Sequence, residues 1–204
     1  MKIALATLAA VALCVGAVAA TADEDGSSQP PGSDRPVVTA VEPAAAAAIA
    51  KLAESRGSGD DLPTAVAAHA DGRPLFGINP DLSRRAIANT GQSLYLVPGD
   101  GHVCAVLTDG AEATLSCDST EDIADGRSGP GTVVLSTGDV AVYGIVADGV
   151  DSVTVATATS DSEEIDVQDN GYFTVVGSGT PLRHVSYVGA SGAVEFPIVD
   201  PSAL

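Results

Sequence analysis

The chain has 204 residues, 45% of them hydrophobic, which suits one compact domain with an appendage. Trp is absent and aromatic residues make up 3%, so Val, Ala, Leu and Ile must fill the core; small β-branched side chains favour strands. Nine Lys plus Arg against 27 Asp plus Glu give a formal charge of -18, a field that argues against a nucleic-acid or anionic-membrane partner.

Met1 and Lys2 precede an apolar run over 3–20, followed by Thr21-Ala22-Asp23-Glu24-Asp25. One cation, an apolar stretch and small residues before a polar segment are the layout of a secretory signal peptide over 1–22. Cleavage after Ala22 uses Ala20 and Ala22 at the small-residue positions, while cleavage after Ala19 uses Ala17 and Ala19. An uncleaved anchor is the competing reading of the same run. Alanine dominates it and no basic stop-transfer cluster follows, which favours a leader that touches the membrane only transiently. Export puts the mature chain in an oxidising compartment. Removal of the leader takes Cys14 with it and leaves the even pair Cys104 and Cys117, expected to be a disulfide.

Residues 23–41 are polar, rich in Pro, Gly and Ser, and without periodicity, as in a disordered linker. A short helical region spans 42–90. It opens with PAAAAAIAKLAESRG, where Pro43 occupies the first turn and Gly57 is a stop. A second helix over 62–70 places Leu62, Val66 and His69 on one face. Asn79-Pro80-Asp81 reads as cap and first positions of a third, running to about Ile87.

From 91 to 204 the pattern is that of a β domain with one disulfide. Strands are expected at 93–98, 102–107 and 112–117, punctuated by Gly-Asp-Gly and Asp-Gly. If Thr108 and Ala113 flank the turn, Cys104 falls directly opposite Cys117, within disulfide reach. Ser119 with Asp122 three residues on starts a helical turn that Gly126 closes. Strands resume at 132–136, 140–147, 152–157, 164–167, 172–176, 182–188 and 193–199. Residues 140–146 are apolar on both parities, as in a strand covered on both faces, whereas 152–155 alternate. The whole is mainly β: a small antiparallel sandwich or partly closed barrel preceded by short Ala-rich helices.

Asn79-Pro80-Asp81-Leu82, then Tyr95-Leu96-Val97-Pro98-Gly99 with Cys104 and Cys117, then Tyr143-Gly144-Ile145-Val146-Ala147-Asp148-Gly149-Val150 leading into Val153-Thr154-Val155, resemble a group of exported proteins from high-GC Gram-positive bacteria. Members commonly have Pro at the position of Ala147 and an Asn-rich turn where this chain has Asp169-Asn170-Gly171. The resemblance implies export, the cysteine pair and the hairpin order. It transfers no activity and no catalytic residue.

Candidate chemistry is sparse. Gly189-Ala190-Ser191-Gly192 is not the Gly-x-Ser-x-Gly of a nucleophile elbow, although Ser191, His184 and Asp200 can be written as a triad. Of the histidines, His69 belongs to a peripheral helix and His102 opens a strand, leaving His184 as the one a strand holds rigidly. Between Arg127 and Arg183 there is no Lys or Arg, while Asp139, Asp148, Asp151, Asp161, Glu163, Glu164, Asp166 and Asp169 fall there. They lack the spacing of a calcium loop and read as a solvated acidic face. The expectation is therefore an extracytoplasmic binding or scaffolding module at the cell envelope, with no catalytic residue, resident metal or cofactor. The alternative is a hydrolase assembled around His184.

Overall fold

The computed structural model describes residues 38–71, 77–109, 112–158 and 162–198. The leader, most of the linker, Asp161 and Asp200 lie outside them. The described chain is mainly β, in three antiparallel sheets with only short helices and no closed barrel.

The first sheet is the meander β1 (Arg84–Ala88), β2 (Gln92–Pro98), β3 (His102–Asp109) and β4 (Glu112–Ser119), in that order. Helix α4 (Thr120–Ala124) carries the chain into a second sheet of β5 (Gly131–Val134), β6 (Val140–Ile145) and β9 (Gly171–Val176). The third sheet has the order β11-β10-β7-β8, from β7 (Ser152–Thr157), β8 (Ser162–Asp166), β10 (Leu182–Gly189) and β11 (Gly192–Pro197).

Two apolar layers separate the sheets, and β6 feeds both. Ala141, Tyr143 and Ile145 pack with Leu94, Leu96, Val103 and Leu107 of the first sheet. Val140 and Val142 pack with Val153, Val155, Val185 and Tyr187 of the third. Every residue of β6 is buried, so its double-sided apolar pattern follows from its place in the middle sheet. Close approach across β6 and β9 requires glycine: a Cβ on Gly144 would stand 2.5 Å from the Tyr172 hydroxyl.

The Ala-rich segment docks on the first layer. Ala45, Ala48, Ile49 and Leu52 are buried there, but the expected single helix is two, α1 (Pro43–Ala48) and α2 (Ala50–Ala53), parted by an extended Ile49. Asp148 supplies the bonds that the break removes. Its amide donates to the Ala48 carbonyl at 3.0 Å, and its Oδ1 accepts from the Ala50 amide at 2.8 Å. A third helix, α3 (Thr64–Asp71), covers the other face of the first sheet, where Leu62 and Val66 pack with Tyr95, Val97 and Val106.

The helix expected over 79–87 is not formed. Asn79 does cap a turn, accepting from the Asp81 amide at 2.9 Å, but a single 3₁₀ turn (Pro80–Leu82) ends at Ser83 and β1 follows. Arg84-Arg85-Ala86-Ile87-Ala88 has helical propensity, and tertiary pairing overrides it: β1 completes the edge of β2 and buries Ala86 and Ile87. The Arg84 guanidinium, 8% exposed, is satisfied by the carbonyls of Glu54, Leu82 and Ser83. The expected turn after β4 forms as α4, with the Ser119 hydroxyl accepting from the Asp122 amide at 3.0 Å and Gly126 leaving at φ 71°.

Candidate functional site

Cys104 and Cys117 are joined, directly opposite each other in the β3–β4 ladder with Cα atoms 4.0 Å apart. Thr108 pairs with Ala113 and Asp109 with Glu112, so the register is the expected one and the turn is one pair tighter. Cys104 is fully buried against Tyr95 and Val97, a structural position.

His184 stands on the outer face of the third sheet, its side chain 30% exposed, with Nδ1 3.6 Å from a carboxylate oxygen of Glu195 on the neighbouring strand. Ser191 sits in the turn at the far end of the same hairpin, where its hydroxyl donates to the Asp125 carbonyl at 2.7 Å. Five residue steps along β10 separate His184 from Gly189, a span of about 17 Å. The Ser191–His184 pair is therefore not a catalytic couple, and Asp200 is outside the described residues. His102 turns its Nδ1 to the Asp100 carbonyl at 2.8 Å. His69 lies in α3, and its side chain is outside the described set.

The acidic residues disperse instead of converging. Asp139 accepts from the Thr137 hydroxyl and the Ser178 amide, and Glu164 accepts from the Ser152 hydroxyl. Among the described residues no three His, Cys, Asp or Glu side chains gather as a metal-holding group. Asp148 and Asp169 serve in docking. Asn170, 9% exposed and at φ 66°, accepts from the Lys51 amide at 3.1 Å and donates to Asp148 Oδ1 at 2.8 Å and the Val146 carbonyl at 3.3 Å. Lys51 Nζ lies 2.9 Å from Asp169 and 3.0 Å from Glu54, and these partners hold its pKa above the ordinary lysine value.

Compared with protein families, curated proteins and solved structures, the chain has no match. Its site is read from its own geometry.

Two arrangements were not legible in the sequence. The first links the outer sheets. Asp118 on β4 accepts from the Ser128 hydroxyl at 2.8 Å, and the Ser128 carbonyl accepts from the Tyr187 hydroxyl on β10 at 3.0 Å. Burial pushes the Asp118 carboxyl above its usual range, against the lowering effect of the Ser128 bond. Nearby, the Tyr172 ring is fully buried and its hydroxyl has no hydrogen-bond partner among the described residues.

The second is a wedge between β8 and β9. These strands leave the turn at Asp169-Asn170 as the arms of a hairpin, both turn residues having positive φ, and a single bridge, Gln168 to Gly171, joins them. Beyond it the arms part, β8 pairing with β7 and β9 with β6. Between their open ends lies a recess of about 460 Å³. Buried Val155 and Val176 form its floor, and Thr157, Ser162, Glu163 and Thr180 are among its lining residues. Glu163 is opposite Val155 in the ladder and so shares its face, with Ile165 two residues on, and is exposed at the mouth of the recess. Among the described residues it makes no hydrogen bond or ion pair, and none of those lining the recess is basic.

Proposed function

We propose that this chain is an exported, extracytoplasmic protein that acts without catalysis, as a binding or scaffolding module at the cell envelope. The observation that carries the reading is the wedge between β8 and β9. It is a concave recess with an aliphatic floor, hydroxyl groups and a carboxylate that has no partner among the described residues, the composition of a recognition site. The disulfide supports the compartment, since such bonds persist where thiols are kept oxidised. Among the described residues no helix is long and apolar enough to cross a membrane. The formal charge of -18 sets it against nucleic acid as that partner.

The His184–Glu195 pair is the observation that favours a hydrolase as the second reading. The test runs the full chain and His184→Ala through peptidoglycan, peptide, ester and glycoside substrates, alongside capture of envelope components on the immobilised chain. Turnover that vanishes in His184→Ala, with folding retained, replaces binding by hydrolysis. Saturable capture without turnover is the result expected.

A further inference from the structure

Strands adjacent in sequence and joined by a tight turn ordinarily satisfy each other's backbone groups. β8 and β9 do not: each is committed to a different sheet, and each is the last strand of its sheet on that side. Their facing edges carry no ladder beyond Gln168 and Gly171. An open edge is a template for one more strand.

The charge of the edge selects what can add. β8 reads Ser162-Glu163-Glu164-Ile165-Asp166, and no Lys or Arg occurs between Arg127 and Arg183. A second β8 edge would bring carboxylates against carboxylates, so self-pairing is opposed. A strand bearing Lys or Arg meets the opposite field. A basic side chain on its inner face would stand beside Glu163 at the mouth of the recess, and a small aliphatic side chain two residues along the same face would lie toward Val176.

We infer that the wedge accepts an extended, basic peptide segment of a partner protein, which pairs with the open edge of β8 and sets a Lys or Arg against Glu163. The inference rests on the binding reading above and names its partner class. Backbone pairing supplies the shared affinity, and the carboxylate with its aliphatic floor supplies the selection of a basic and an aliphatic residue two apart, on one face of the strand.

The test uses the full chain and a fluorescent, end-capped peptide in which Lys and Val alternate at every second position with Thr between them, so that both lie on one face, with fluorescence anisotropy at low salt. A control peptide has the same Lys residues but Pro at all other positions, which leaves too few ladder donors for pairing while keeping the charge. Saturable binding of the first peptide, none of the second, and slowed amide hydrogen exchange at 162–166 on binding are expected. Glu163→Lys should weaken binding by about tenfold or more, since it replaces an attraction by a repulsion. The same reversal at Glu121 on α4, away from the wedge, should leave saturable binding and the exchange protection in place. Equal binding of both peptides, or protection that does not fall on 162–166, would reduce the effect to general attraction by an acidic surface and overturn the inference. So would absence of binding. Capture of envelope components that persists undiminished in Glu163→Lys would keep the binding reading and reject the wedge as its site.

Discussion

Asn170 is the residue on which the docking of the N-terminal helices turns, and its replacement can be worked through. The side chain makes three hydrogen bonds, to the Lys51 amide, Asp148 and the Val146 carbonyl. At about 1 kcal/mol each, their loss costs about 3 kcal/mol. The backbone is at φ 66°, which Asn tolerates and which costs Ala about 1 kcal/mol more. Asn170→Ala should therefore destabilise by about 4 kcal/mol and Asn170→Gly by about 3 kcal/mol, because glycine loses the bonds but not the conformation. Urea denaturation measures both values. Hydrogen exchange should show the Lys51 amide opening ahead of the β3 amides, since it loses its tertiary acceptor while the latter stay in a central ladder. Equal values for the two variants would refute the backbone part of the reasoning. Values within about 0.5 kcal/mol of wild type would refute the docking role.

Replacing Cys104 and Cys117 together by Ser should cost about 3 kcal/mol, mostly by freeing the unfolded chain across a separation of 13 residues, as read by denaturation with and without reductant. The intact protein should show neither thiol to a labelling reagent. Tyr172→Phe should stabilise by about 1 kcal/mol, because it removes a buried hydroxyl without a partner and keeps the ring; a lower melting temperature would show that the hydroxyl is satisfied. Asp118→Asn should gain on wild type as pH rises. The folded-state pKa of Asp118 is raised, so its contribution is full below the ordinary carboxylate range and is lost on ionisation; the difference in stability between variant and wild type should grow in the variant's favour as pH rises through and above that range. A flat difference would place Asp118 in a solvated setting.

The sequence by itself determined what short-range chemistry determines. The turn residues and the period-two pattern located β2 to β11, because a strand covered on one face must alternate and one covered on both cannot. The turn after β4 was legible because Ser119, Asp122 and Gly126 act within one turn of helix. The cysteine pairing followed from the even cysteine count together with the hairpin register. Only the tertiary structure decided the rest. β1 was hidden because Arg84-Arg85-Ala86 carries no strand preference and is drawn into the sheet by β2. The break at Ile49 depends on Asp148, far away in the chain. The Asp118–Ser128–Tyr187 link joins residues from different sheets. The wedge is the furthest from local legibility. Nothing near Asp169-Asn170 marks its hairpin as one whose arms separate; that follows from β7 offering β8 a full ladder while β6 offers β9 another. Backbone pairing is won by whichever partner the packed layers bring alongside, and that competition is settled between sheets, beyond the reach of any local pattern.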